Sequence, residues 1–276
     1  MIEASVRAAG PYSLRLSARR DEVHVPLPGG GMGWAWQRRD GSLLLRAPDE
    51  AGLALLRFVL ALDDDTTEFV LRFRRDPLLG PSVRALHGLR PLRVPTVAQA
   101  VLRAFCGQLV QARVARQTER RIIRHCGEPA PTREVLGRLA PAELRRLGLA
   151  QQRASALVRI CRSLDLERLR GLPVDAVAER LLRERGLGPY SLGVIALEGL
   201  GSYRYPLTGD LAFVKLMSAL EGRWVEPHET ATLFEPYGEW AGLASVYLLR
   251  GWTAGLVPGA DRDRARAVRI AARRAA

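Results

Sequence analysis

The chain has 276 residues, enough for one large or two ordinary domains with a sizeable core. Its 42 Lys+Arg against 29 Asp+Glu leave a net charge of +13, which draws a polyanion, either nucleic acid or an acidic membrane face. No apolar run approaches the ~18 residues of a membrane span, and MIEASVRAAGPYSLRL has no signal-peptide apolar region, so a soluble, intracellular chain is expected.

Lys215 is the only lysine, so the basic charge is almost wholly arginine. Arginine-rich coding bias accounts for that, although arginine also suits forked phosphate contacts. Cys106, Cys126 and Cys161 are odd in number and widely spaced, which fits neither a disulfide framework nor an iron–sulfur cluster. His24, His87, His125 and His228 are scattered without HxxxH or HxH spacing, so no metal site and no cofactor are expected.

Residues 1–92 read as a small α+β domain built on an antiparallel sheet. Tyr12-Ser-Leu-Arg-Leu alternates like a strand, and Asp21-Glu-Val-His-Val is short and extended. Pro28-Gly-Gly-Gly-Met-Gly is a flexible turn; it lacks the GK[ST] and the following helix of a phosphate loop. Trp34-Ala-Trp and Leu43-Leu-Leu-Arg flank Arg39-Asp40-Gly41, a hairpin signal. Ala51 to Leu62 is helix-like, and Glu68-Phe-Val-Leu-Arg-Phe alternates again.

From Pro95 the spacing turns helical, so 93–276 reads as a mainly α-helical second domain. Thr96 is placed to cap a helix carrying Val97, Val101, Ala104, Phe105 and Leu109 on one face, running on through Arg113 and Arg120-Arg121. Short helices follow over Thr132–Leu139 and from Pro141, then an amphipathic one over Arg153–Leu164 and another from Pro173. Past Asp210, helices are expected near 211–220, 227–234 and 239–250, and a basic tail runs through Arg273-Arg274.

The stretch from Leu181 to Met217 carries the chemistry. A helix ending at Gly186 turns through Gly186-Leu187-Gly188-Pro189 into a second helix, giving a hairpin over 181–200. Gly186 and Gly188 permit positive φ and close backbone approach, and Pro189 suits a first helical turn. Such a start leaves backbone N–H groups free for an anion, while Leu187 packs inward; a plain turn between helices has the same pattern. The loop 201–211 then delivers Asp210, in Pro206-Leu-Thr-Gly-Asp-Leu, ahead of the next helix. An aspartate there is a helix N-cap, a carboxylate beside developing positive charge on a sugar, or both.

The hairpin, the Gly/Pro-rich loop and the aspartate resemble the HhH-GPD superfamily of DNA glycosylases, and within it the bacterial 3-methyladenine DNA glycosylase II type. The resemblance spans roughly 76–252 and includes Gly88-Leu-Arg-Pro, Arg103-Ala-Phe-Cys-Gly-Gln-Leu-Val and Leu147-Gly-Leu-Ala-Gln-Gln-Arg-Ala-Ser-Ala-Leu. It implies an α+β fold: a small antiparallel sheet domain with helices, then a helical domain of two lobes with a cleft between them. By position, Asp210 takes the catalytic role, and Gly186, Leu187, Gly188 and Tyr190 the phosphate-gripping hairpin. Gln108 and Leu109 take the segment whose leucine fills the gap left by an extruded base. Tyr190, Val194, Leu211, Tyr237 and Trp240 fall at base-pocket positions; Val194 and Leu211 stand where the relatives have tyrosines, which leaves the substrate base open. Bifunctional members carry a lysine where Tyr190 sits, so the resemblance implies a monofunctional enzyme that uses water.

The implied partner is double-stranded DNA containing damaged, above all alkylated, bases, acted on by a monomer in the bacterial cytoplasm without a membrane. A silent lesion-binding protein of the same fold, and a glycosylase for oxidised or deaminated bases, are the alternatives.

Overall fold

The computed structural model describes residues 1–275, without the side chains of 262, 269 and 271–275, so the side chains of Arg273 and Arg274 in the basic tail lie outside the described residues. The fold is α+β: a four-stranded antiparallel sheet followed by helices.

Strands β1 (Ile2–Val6), β2 (Glu22–Pro26), β3 (Met32–Gln37) and β4 (Leu43–Ala47) pair in the order β1-β4-β3-β2. The register sets Trp34 opposite Arg46 and Ile2 opposite Ala47. Both hairpins fall where their turn residues put them. One face packs Val25, Ala35, Leu43 and Leu45 against Leu53, Leu56 and Leu60, which come from α2 (Glu50–Val59) and the residue after it. Asp49 opens α2 by accepting from the Gly52 N–H at 2.8 Å.

Four local readings are corrected. Strand β1 lies in the first residues, where no element was expected. Tyr12–Leu16 is not a strand but a turn into α1 (Leu14–Ala18), because the Ser13 hydroxyl caps the Leu16 N–H at 3.2 Å. Glu68–Phe73 is likewise helical, in α3 (Thr67–Phe73), started by the Asp65 carboxylate accepting from the Thr67 N–H at 2.8 Å. Phe69 and Phe73 satisfy a period of two and also the i, i+4 spacing of a helix, and the second pattern wins because both bury on one side. The helix capped by Thr96 stops early: α5 is Val97–Gly107, a loop carries Gln108–Gln111, and α6 (Ala112–Cys126) starts afresh.

The helices form two lobes around separate cores. The first takes α5 and α6 with α7 (Arg133–Arg138), α8 (Pro141–Arg146), α9 (Gln151–Ser163), α10 (Val174–Leu182) and α11 (Pro189–Val194). Phe105, Leu157, Ile160, Leu181 and Leu187 lie in its core. Helix α10 ends at Leu182, earlier than expected, and α11 runs into a single π-helical turn over Ile195–Leu200. The second lobe contains α12 (Leu211–Glu221), a 3₁₀ stretch over Pro227–Trp240, α13 (Ala241–Thr253) and α14 (Arg262–Ala275). Its core also includes Phe69, Phe73, Leu79 and Val83, so α3 and α4 (Gly80–Ala85) pack with the C-terminal helices, whereas the sheet's own core ends at Leu62.

Candidate active site

Residues 201–210 cross between the two lobes. Tyr205 packs on the first core, Tyr203 on the second, and Leu207 on both. Two glycines allow this close passage. A Cβ on Gly193 of α11 would run into the Pro206 carbonyl, and Gly242 of α13 donates its N–H to the Tyr203 carbonyl at 2.6 Å. Further anchors were not read from the sequence. Arg93 reaches the Gly201 carbonyl (3.1 Å) and the Asp64 carboxylate, which also accepts from the Tyr203 hydroxyl. The Thr230 hydroxyl accepts from the Gly209 N–H at 2.7 Å, one residue before Asp210. Nothing local marks these contacts, since Asp64, Arg93 and Thr230 come from three distant segments.

Asp210 is the N-cap of α12, with its Oδ1 accepting from the Ala212 N–H at 2.6 Å. The cap and the carboxylate are thus one residue, at a helix start where the macrodipole favours an anion. Burial raises its pKa, opposed by the Ala212 hydrogen bond and the Lys215 ammonium. Lys215 lies one turn along α12 from Leu211, on the same face. A helical side chain leans toward the N-terminus, so this lysine reaches back toward Asp210. A half-buried carboxylate with few partners is suited to stabilising positive charge as it develops.

The hairpin stands beside it. Gly186 has φ +100°, a left-handed conformation that glycine adopts without strain, and a Cβ there would press on Ala156 and Phe105. Leu187 is buried in the first core, as the inward reading required. Gly188 is the N-cap of α11 with no side chain capping it, so the first N–H groups after Pro189 are open to an anion. Gln108 ties the loop after α5 to the hairpin: its Nε2 donates to the Gly186 carbonyl and to Ser191 Oγ, both at 2.8 Å. Leu109 follows with φ +51° and 64% of its surface exposed. A large apolar side chain held outward on strained backbone is an unusual local cost, of the kind that clusters at functional sites.

The pocket candidates divide. Tyr190 is half-buried with its hydroxyl over Gly107; burial pushes its pKa up, and the negative charge of Asp210 adds to that. Leu211 is half-buried next to Asp210. Trp240 stacks on Tyr203 (5.9 Å, 25°), beside the crossing loop. Val194, however, is buried in the first core. Tyr237 is 2% exposed in the second core, edge-on to Phe73, with its hydroxyl 3.5 Å from Asp76 Oδ1. Tyr190, Leu211 and Trp240 therefore border the loop of Asp210, while Val194 and Tyr237 stand behind it in the cores.

A helical hairpin beside a loop-borne aspartate, on a sheet-plus-two-lobe frame, is the architecture of the helix-hairpin-helix DNA glycosylases, and the chain resembles them in sequence and in fold. No family model matches the sequence. A DNA-3-methyladenine glycosylase of Bacillus subtilis (strain 168) is 23% identical over 209 residues, 68% of each chain. The 3-methyladenine DNA glycosylase of Archaeoglobus fulgidus superposes with a TM-score of 0.75 at 17% identity, covering 91% of this chain and 98% of that one. The 8-oxoguanine glycosylase/lyase of Clostridium acetobutylicum, in complex with double-stranded DNA containing cytosine opposite 8-oxoG, superposes at 0.71 with 18% identity, covering 92% and 99%.

Proposed function

We propose that this chain is a monofunctional DNA glycosylase of the 3-methyladenine type, excising alkylated bases from duplex DNA. The observation that carries the reading is Asp210: a half-buried carboxylate at a helix start, on the loop between hairpin and second lobe, with a hydrogen bond from Ala212. The hairpin amides after Gly188 hold a backbone phosphate, and Leu109 fills the space of the extruded base. Breaking the N-glycosidic bond sends its electron pair to the base and leaves an oxocarbenium-like sugar, which the Asp210 anion stabilises. Water adds to the sugar carbon and loses its proton, so an abasic site remains. Tyr190, Leu211 and Trp240 border the base; Val194 and Tyr237 shape the site from behind.

The absence of strand cleavage is read from Lys215, the only lysine, which lies on α12 and not at the Tyr190 position of the hairpin. Action as a monomer in a bacterial cytoplasm belongs to the same proposal, as does a boundary near residue 92 between the sheet domain and the helical domain.

Base release from duplexes carrying 3-methyladenine, 7-methylguanine, 1-methyladenine, hypoxanthine and 8-oxoguanine, followed by mass spectrometry, tests the reading. Release of alkylated bases by the wild type and its loss in Asp210→Asn are expected; full activity in that variant overturns the mechanism. A second reading, an oxidised-base glycosylase with lyase activity, is favoured by the likeness to the Clostridium acetobutylicum fold. It predicts a borohydride-trapped adduct through Lys215, which the first reading does not.

A further inference from the structure

The loop that joins α5 to α6 holds its most exposed side chain against the preference of its own backbone. Leu109 has φ +51° and 64% of its surface exposed. It stands between Gln108, the C-cap of α5, and Val110, which packs on the first core. A left-handed residue other than glycine persists only where its surroundings over-determine it. Gln108 supplies that constraint. Its Nε2 donates to the Gly186 carbonyl and to Ser191 Oγ, both at 2.8 Å. A carbonyl only accepts, so Gly186 also fixes the amide with its nitrogen facing the hairpin. The two acceptors lie on opposite sides of the hairpin turn: Gly186 where it begins, and Ser191 in the first turn of α11, with 1% of its surface exposed.

A second contact closes the same seam. Gly107 precedes Gln108, and a Cβ on it would run into the Tyr190 hydroxyl. The end of α5 and the start of α11 are thus packed without room for a side chain between them. Hairpin and loop form one rigid piece, although 78 positions separate Gln108 from Gly186. We propose that Gln108 is a positioning residue, a clasp that passes the hairpin's hold on the duplex to Leu109. The inference rests on the DNA reading above, in which the hairpin takes the backbone and the leucine fills the place of the extruded base. The clasp sets the offset between those two contacts, so that seating the hairpin drives the leucine in. Without it the loop relaxes toward negative φ and the leucine leaves its outward pose, so insertion slows while the hold on the backbone stays.

The test uses the full chain and a duplex with 2-aminopurine beside a central abasic-site analogue. Anisotropy gives the affinity, and the rise in 2-aminopurine fluorescence reports unstacking as the leucine enters the gap. Gln108→Met keeps the length of the side chain without its donor, and Ser191→Ala removes one acceptor. Neither substitution takes a charge away from the phosphates, so affinity should stay within about twofold. The rate of the fluorescence rise should fall roughly three- to tenfold in each variant, the scale of a lost hydrogen bond. In a Leu109→Gly background, Gln108→Met should slow the rise no further, because the clasp acts through the leucine. Ser191 is buried out of reach of DNA, so a normal Ser191→Ala beside a slow Gln108→Met makes Gln108 a direct DNA contact and overturns the clasp. Two single variants that unstack at the wild-type rate overturn it as well, as does a Gln108→Met that slows Leu109→Gly by the full factor. Melts by circular dichroism separate a folding loss from these effects; should Gln108→Met not fold, Ser191→Ala alone decides. A wild type that binds no duplex overturns the DNA reading and the clasp with it.

Discussion

In the proposed mechanism Asp210 acts as an anion, and its surroundings set the pH at which that anion exists. Burial lifts its pKa, so the carboxylate is lost at a higher pH than the ~3.9 of a free aspartate. The acid limb of kcat/KM is therefore expected above that value. Lys215→Met removes the opposing charge and should move the limb further up, whereas Lys215→Arg should leave it in place; an unmoved limb in the methionine variant excludes the lysine from the field of Asp210. The same shift affects folding. A raised folded-state pKa means that ionised Asp210 destabilises the fold above that pKa, and the penalty disappears as pH falls through it. Asp210→Asn keeps an oxygen for the Ala212 N–H and sheds the charge, so it should melt at or above the wild type at pH 7, with the gap closing on acidification. Leu109 separates stability from activity in the same way. Leu109→Gly relieves the positive φ and should fold as well as the wild type. It should also release base at least roughly tenfold more slowly, because a few kcal/mol of unstacking is no longer offset.

Among the elements, the crossing loop depends on partners in every unit. Asp64 follows α2, Arg93 precedes α5, Thr230 lies in the 3₁₀ stretch and Gly242 in α13. Tyr203→Phe keeps the ring on Trp240 and removes only the hydroxyl that donates to Asp64. The expected result is a stability loss of about 1 kcal/mol. Turnover should fall by more than that loss explains, with KM for duplex little changed, because the loop carrying Asp210 is less well held. Helix α3 gives the contrasting case of pure packing. Phe69 is fully buried, 5.0 Å from Tyr247 and 5.3 Å from Phe73 between ring centroids. Phe69→Ala should cost roughly 3–5 kcal/mol in denaturant melts.

At the scale of the molecule, one buried side chain joins the sheet to the helical lobes. Arg90 has no exposed surface and donates to the carbonyls of Ala61, Ala9 and Pro11, under the ring of Tyr12. Tyr247 of α13 bonds the Leu89 carbonyl next to it at 3.0 Å. Arg90→Met leaves buried acceptors without donors, each costing about 1–3 kcal/mol. The sheet should then melt ahead of the helices, giving two calorimetric transitions where the wild type gives one; a single transition would make this contact incidental to the coupling.

Much of this was legible in the sequence, because some signals are local. Thr96 and Asp210 cap helices through N–H groups two or three residues away, and Gly186 needs its φ because of the turn it sits in. Leu187 turns inward from the tight turn that joins the two helices of the hairpin, and the +13 charge depends on no fold. Local pattern failed where two periods coincide, as at Glu68–Phe73, and where burial depends on what arrives from elsewhere, as at Val194 and Tyr237. Only the tertiary structure brings Asp64, Arg93 and Thr230 to the loop of Asp210. Those contacts join residues tens to hundreds of positions apart, and no short-range periodicity encodes such a meeting. The sequence by itself determined which residues carry the charge and the caps; tertiary packing determined which of them stand close enough to act together.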